Sequence, residues 1–324
     1  MEGKNSFIEP YGDWSKNKVP QSIVKVIGEV MKGMALGLSP QLAFDGTAGT
    51  YMMRDPNRHT VGIFKPIDEE AYAPNNPRGY VGDFGQTSFR SGVLSGEGVI
   101  REVASYLLDH NHFSQVPPTV FTEVMHQSFN YSVSQETDSS DLGNMSQQYT
   151  SVISSLIEPN LSEQHSISTS NTTQNKSDLS NTKIGMKYGS LQYFVKSDGT
   201  TSDYSSDLFS IEEVHKIIII DLRILNLDRN DGNILVVKKK EPVKKSKKKN
   251  KSKSSEMSYT YRLIPIDHSL SIPDSLEIYS YDICWMDWDQ AHVKFSKESL
   301  EYIKKLDILK DIKTLDHTFK FRNI

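Results

Sequence analysis

The sequence predicts an α+β fold, and three observations carry that expectation. Strand-like segments flank a Gly/Thr-rich turn at Phe44–Met53 and resume at Val61–Lys65. Stretches at Gln21–Leu36, Glu97–Asp109 and Ile211–Asn226 place apolar residues at helical spacing. Two more strand patterns, Ile234–Val237 and Tyr259–Ile266, bracket a lysine-rich run.

Bulk properties bound what such a chain can be. Its 324 residues suit one large two-lobed domain or two ordinary ones, and 36% hydrophobic content suggests that part of the length is insert. The single cysteine, Cys284, excludes an internal disulfide framework and suits a reducing cytosol, so a cytoplasmic location is expected. No apolar run reaches the ~20 residues of a membrane span and no signal peptide opens the chain, so any membrane contact is expected to be peripheral. The net charge of −4 hides an asymmetry: Lys238–Lys253 carries ten lysines against one glutamate, leaving −13 for the remainder.

Residues 1–20 hold Pro10, Gly12 and Pro20 and read as irregular. The first helix presents Ile23, Val24, Ile27, Val30, Met31 and Met34, and Gly37 and Pro40 end it. In the turn Asp45-Gly46-Thr47-Ala48-Gly49-Thr50-Tyr51, small residues can lay backbone N–H groups over phosphates. Lys65, one strand later, can reach the same phosphates as a point charge, although an ordinary hairpin with a solvated lysine has the same pattern. Residues 72–96 read as a long ordered loop. Glu102 flanks the apolar stripe of the helix at Glu97–Asp109, where it either orients Lys65 or is a surface carboxylate. Val116–Val120 turns into another strand. Thirty of the 51 residues in 132–182 are Ser, Thr, Asn or Gln, which predicts a disordered insert. Tyr188–Val195 reads as a buried strand, and the isoleucine run 217–220 fits helix or strand equally.

The chemistry concentrates in Asp228-Arg229-Asn230-Asp231-Gly232-Asn233. Phosphoryl transfer needs a carboxylate to orient an attacking hydroxyl and oxygen donors for Mg²⁺, and Asp228 and Asn233 supply both within one short loop. If the strands around the lysine run pair as a hairpin, Asn233 lies beside Asp267 at the end away from the run. Arg229 is placed to neutralise either phosphate charge or Asp228 itself.

Taken together, DGTAGTYMMRD, VGIFKPIDEE, NNPRG, GEGVIREVASYLLD, VPPT, GSLQYFV, EEVHKIIIIDLRILNLDRNDGN, LIPIDHSL and CWMDWDQA resemble the phosphatidylinositol 3-/4-kinase superfamily. Within it they are most similar to type II phosphatidylinositol 4-kinases of the plant-type gamma branch. The resemblance implies a bilobal protein-kinase-like fold, with a small β-rich N-lobe over about 40–195 and a mostly helical C-lobe over about 196–324. The catalytic domain would run from 21 to 324, with inserts at 132–182 and 238–257. Asp45–Tyr51 would cover phosphates, Lys65 would be the ATP lysine, and Gln192, Tyr193, Phe194 and Val195 the hinge to adenine. Asp228 would be the catalytic aspartate, and Asn233 and Asp267 the metal ligands. Members usually carry glycine where Ser269 stands, and a positive φ there would strain serine.

The implied activity is transfer of the ATP γ-phosphate to an inositol hydroxyl of membrane phosphatidylinositol, with Mg²⁺, or Mn²⁺ as alternative. A protein Ser/Thr kinase and a weakly active nucleotide-binding scaffold are the rival readings; no nucleic-acid partner is expected. The lysine run is either a solvated insert or a basic contact for an anionic leaflet.

Overall fold

The computed structural model describes residues 6–11, 19–131, 185–242, 257–275 and 282–319. The predicted Ser/Asn-rich insert 132–182 and residues 243–256 of the lysine run lie outside the described residues. The architecture is α+β, and an antiparallel sheet in the order β1-β5-β6-β4-β3-β2 holds the first half together. Its strands are β1 (Phe7–Pro10), β2 (Gln41–Leu42), β3 (Tyr51–Arg54), β4 (Thr60–Pro66), β5 (Thr119–Met125) and β6 (Lys187–Tyr193).

Helix α1 (Gln21–Ala35) packs on this sheet through Ile23, Val26, Val30, Gly33 and Met34. The buried face is rotated from the expected stripe, because Val24 and Met31 are about half exposed while Val26 is buried. Gly33 permits the close approach: a Cβ there would lie 2.3 Å from the Arg54 carbonyl oxygen. The helix closes with Leu38 N–H donating to the Gly33 carbonyl and Gly37 N–H to Met34, with Gly37 at φ 81°. That is a Schellman cap, in which glycine takes the left-handed position at no steric cost.

Alternation along β4 sends Phe64 into the core and Lys65 to the opposite face. Helix α2 (Gly98–Leu108) packs against the sheet through Val99, Ile100, Val103 and Ala104. The predicted strand residue Phe44 is instead 92% exposed, in the turn that joins β2 to β3. Residues 72–96 contain no helix or multi-residue strand; only Thr87 and Leu94 form an isolated bridge.

The isoleucine run resolves as helix α3 (Ile211–Ile224), capped by the Ser210 hydroxyl accepting from Glu213 N–H and ended by Leu225 at φ 47°. Periodicity was uninformative there because α3 is buried on two sides. Ile217 and Ile218 meet Trp285 and Trp288, whereas Ile220 and Ile224 meet Tyr106 and Leu108 of α2. Next come β7 (Asp228–Arg229), β8 (Ile234–Pro242), β9 (Met257–Pro265) and β10 (Asp282–Ile283), then α4 (Lys297–Lys304) and α5 (Ile308–Phe319). β8 and β9 pair antiparallel from Ile234↔Pro265 to Pro242↔Met257, so the expected hairpin forms. The ladder runs farther than expected: Lys238, Lys239 and Lys240 belong to β8, opposite Tyr261, Thr260 and Tyr259. The pairing of β7 with β10, parallel and two residues long, has no counterpart in the sequence reading.

Candidate active site

A cleft of about 430 Å³ opens between the Gly46–Thr50 turn, β4, the N-terminal part of α2 and the ends of β7 and β9. Lys65 enters it from β4 and is the hub of its charges. Its Nζ lies 2.5 Å from Glu102 Oε1 and 3.1 Å from Asp267 Oδ1, so one ammonium bridges the two halves of the chain. Burial alone would lower the Lys65 pKa, but Asp267 and then Glu102 outweigh it and hold the ammonium above the usual lysine range. Burial likewise opposes ionisation of Glu102, yet the charge of Lys65 and then His268 keep that carboxyl well below the usual range. Glu102 is only 1% exposed, which excludes the surface-carboxylate alternative.

The hairpin fixes the second corner. Ile266 N–H donates to the Asn233 carbonyl at 3.0 Å, which sets Asp267 beside the Asp228–Asn233 loop. Asp267 has φ 53°, a left-handed conformation that aspartate tolerates better than most residues. Ser269 is not among the residues at positive φ; the left-handed position is Asp267, two residues earlier. Instead the Ser269 hydroxyl donates to Asp267 Oδ1 at 3.0 Å. Asn233 Nδ2 donates to the Asp228 carbonyl at 2.9 Å, which leaves its Oδ1 as the side-chain atom able to meet a cation.

Asp228 lines the cleft; Arg229 does not. Arg229 is fully buried, with Nε 3.0 Å from both carboxylate oxygens of Asp221 and Nη1 2.6 Å from the carbonyls of Asn233 and Ile266. The expectation that it neutralises phosphate charge is therefore corrected: it braces the loop from behind. In an extended segment, adjacent side chains point to opposite faces, so Asp228 and Arg229 cannot both face the cleft.

Of the turn residues, Gly46, Thr47, Ala48, Gly49 and Thr50 line the cleft, whereas Asp45 and Tyr51 are not among its lining residues. Tyr51 is buried and its hydroxyl donates to Glu69 Oε2 at 2.7 Å, so its predicted ATP contact gives way to a structural one. Gly49 N–H donates to the Glu69 carbonyl, and a Cβ on Gly49 would lie 2.2 Å from Glu69 Oε2. Glu69 is held by Tyr51, Lys187 and the Asn130 N–H and cannot easily yield. Gly49→Ala is thus expected to cost about 1–3 kcal/mol by overpacking and to weaken nucleotide binding as the turn shifts. A thermal melt and a nucleotide titration check this, and an unchanged dissociation constant would show that the turn absorbs the methyl group.

Gln192, Tyr193, Phe194 and Val195 are not among the lining residues either. Tyr193 pairs with Gly62 three residues before Lys65 on β4, about 10 Å along the strand. The Tyr193 and Phe194 N–H groups already donate to Pro118 and Val61.

Several residues that shape the cleft were given no role by the sequence, although NNPRG and VGIFKPIDEE carry them. Asn76 Nδ2 donates to the carbonyls of Thr47, Glu69 and Glu70, and the Arg78 guanidinium donates to those of Ala43 and Phe44. The NNPRG segment therefore staples the glycine-rich turn in place. Glu70 accepts from the N–H groups of Gly96, Gly98 and Val99 at 2.7–3.1 Å. Burial pushes its carboxyl up to about 7 against the pull of those three amides, and Glu97 adds to the rise. An acid whose pKa rises on folding binds its proton more tightly in the fold. Stability from this group is thus full below about 4.5 and is lost as pH climbs toward about 7. Glu70→Gln is expected to flatten the pH dependence of Tm across that window; an unchanged slope would mean that Glu70 does not titrate there.

A strand lysine paired to a helix glutamate, a second carboxylate at a hairpin end and a third on a short loop are the kind of groups that nucleotide-dependent phosphotransfer uses. The family model described as "Phosphatidylinositol 3- and 4-kinase" matches residues 46–320, and the chain belongs to this family. It is 36% identical to "Phosphatidylinositol 4-kinase gamma 6" of Arabidopsis thaliana over 295 residues, covering 91% of this chain and 39% of that protein. Identity to "Phosphatidylinositol 4-kinase gamma 7" of the same plant is 35%, covering 90% of the chain and 37% of the relative. Against "Phosphatidylinositol 4-kinase gamma 4" of Oryza sativa subsp. japonica it is 30%, covering 97% and 45%. The chain spans less than half the length of these relatives.

Proposed function

We propose that this chain is an ATP-dependent lipid kinase that transfers the γ-phosphate to an inositol hydroxyl of phosphatidylinositol. The 4-hydroxyl is the position that its relatives' names give. The observation that carries the reading is Lys65 bridging Glu102 and Asp267 in a cleft that also holds Asp228, beneath a glycine-rich turn. We divide the fold into a sheet-based N-lobe, about 40–195, and a C-lobe, about 196–324, built on α3 and the β8–β9 hairpin. Separate cores around the sheet and around Trp285 and Trp288 support that division.

In this reading the Gly46–Thr50 turn covers the phosphates and Lys65 neutralises them, its head held by Glu102 so that no reorganisation is needed when nucleotide binds. The adenine edge would lie toward Gln192–Val195, beyond the residues that line the cleft, where the Tyr193 and Phe194 N–H groups are already engaged by Pro118 and Val61. Asp228 orients the acceptor hydroxyl and takes its proton as the new P–O bond forms. The donors fit a small hard cation. Asp267 and Asn233 present oxygen atoms, and Mg²⁺ typically takes one or two protein oxygens plus phosphates rather than an all-protein cage. A bound Mg²⁺, or Mn²⁺, would draw charge off the phosphates there. Ser269, the motive for a weakly active scaffold, sits in ordinary backbone and supports Asp267.

Among the described residues no helix is long and apolar enough to cross a membrane. We propose peripheral access to a bilayer substrate from the cytoplasm. The test offers labelled ATP and Mg²⁺ with phosphatidylinositol vesicles in one arm and a generic protein substrate in the other, beside Asp228→Asn and Asp267→Ala. Label in lipid that both variants lose is the expected result. Label in protein alone would move the assignment to a protein kinase, and nucleotide binding without transfer to either would overturn both.

A further inference from the structure

The cleft holds a second cation that none of the roles above uses. Arg90 stands at the tip of a tight turn within residues 72–96, where Thr87 bridges Leu94 and Ser88 N–H donates to the Val93 carbonyl at 2.9 Å. The turn is tied down from the other side, since Asp274 N–H donates to the Gly92 carbonyl at 2.8 Å. Gly92 has φ 77°, and a Cβ there would lie 3.0 Å from Ser275 N, so any other residue would be strained at the join. This support delivers Arg90 Nη2 to 2.7 Å from Asp228 Oδ1, with the Arg90 side chain 19% exposed.

Among the described lining residues, the positively charged ones are Lys65 and Arg90. Lys65 is anchored at one end of the cleft by Glu102 and Asp267. Arg229, adjacent to Asp228 in sequence, is turned away into the Asp221 pair. The end of the cleft where an acceptor hydroxyl would meet the transferring phosphate therefore has one cation, and it is Arg90. We propose that Arg90 is a catalytic arginine acting within its own chain, holding the Asp228 carboxylate before nucleotide binds and carrying charge on the γ-phosphoryl group during transfer. The proposal rests on the kinase reading above.

The chemistry balances without a further reactant. The acceptor hydroxyl gives its proton to Asp228, and its oxygen bonds to the γ-phosphorus. The bond from that phosphorus to the β–γ bridging oxygen breaks, and its electron pair leaves with ADP. Arg90 stays protonated throughout. A guanidinium hydrogen-bonded to Asp228 stands beside both the base and the place where the phosphoryl oxygens would lie. The planar guanidinium suits a phosphate geometry that a lysine ammonium meets only as a point charge.

The experiment compares the full chain with Arg90→Ala and Arg90→Lys. It measures kcat and the KM for ATP in the lipid-transfer assay, and ADP affinity with Mg²⁺ in the absence and presence of aluminium fluoride, which mimics the transferring group. Loss of a charge-stabilising arginine in phosphoryl transfer is worth about 10³-fold or more in kcat. Arg90→Ala is expected to show that loss with KM and plain ADP affinity within about threefold, and to lose the tightening by aluminium fluoride; Arg90→Lys should recover little of it. A kcat within threefold of wild type overturns the assignment. So does a raised kcat, which would make the Arg90–Asp228 contact an inhibitory latch. Equal losses in plain ADP affinity would make Arg90 a nucleotide-holding or folding residue, and also overturn it. Absence of transfer by the wild-type chain would overturn the kinase reading and this proposal together, whereas transfer that Arg90→Ala matches overturns this proposal alone.

Discussion

Asp228→Asn is expected to lower turnover by about 10²–10⁴-fold, the range for losing a positioned proton acceptor. The substitution is nearly isosteric, so an asparagine can keep the bond that Asn230 Nδ2 makes to the side chain at 3.2 Å and the backbone bond from Asp228 N–H to Asn226 Oδ1 at 2.9 Å. What it removes is the negative charge and the capacity to take a proton. ATP affinity should change little, because on the proposed reading the nucleotide's phosphates would be held from the opposite side by Lys65 and the Gly46–Thr50 turn. Asp267→Ala should behave differently. It deletes the carboxylate proposed to meet the cation and one of the two anchors of Lys65, so both kcat and nucleotide affinity are expected to fall. The contrast is read from initial rates and equilibrium binding on the same preparations. Retention of more than a tenth of wild-type turnover by Asp228→Asn would place proton acceptance elsewhere.

Those corners were legible in the sequence because each depends on regular structure. Lys65 ends a strand whose alternation fixes its face, Glu102 lies on a periodic helix, and Asn233 and Asp267 are brought together by a hairpin whose register survives a long insert. Arg229 was misjudged for a related reason. Without knowing that Asp228 and Arg229 pair with β10 as extended backbone, the sequence does not say that they must face opposite ways. Tyr51 went the same way, since its alternation within β3 sends it to Glu69. The roles of Arg90, Asn76 and Arg78 were not legible because residues 72–96 carry no periodicity, even though NNPRG stands among the family motifs. Such residues are placed by individual hydrogen bonds to distant backbone, which no local pattern records. On α1 the composition of the face was legible but its rotation was not, because Val24 and Val26 are equally apolar and only the neighbouring strand decides between them.

Arg229→Ala should produce the largest loss of stability, about 3–5 kcal/mol, the range for leaving one member of a buried ion pair without its partner. Asp221 is 2% exposed, and its remaining bonds would be those from Trp285 Nε1 at 2.9 Å and from Asn226 Nδ2 at 3.4 Å, too few to replace a guanidinium. The damage would not stay local. Arg229 Nη1 also joins the carbonyls of Asn233 and Ile266, the residues that open and close the β8–β9 hairpin at its catalytic end. Their separation would move Asn233 relative to Asp267 and weaken cation binding in whatever protein still folds. The expected fall in Tm is on the order of 10 °C for a chain of this size. Where the single variant fails to fold, Asp221→Asn combined with Arg229→Met provides the decisive comparison. Replacing both charges removes the uncompensated carboxylate, so the double variant should be more stable than Arg229→Ala while still lacking the brace across the hairpin. Stability regained without normal cation affinity would separate the two roles of Arg229. If Arg229→Ala melted within a degree of wild type, Asp221 would have to be satisfied by some other group, and the brace would be dispensable.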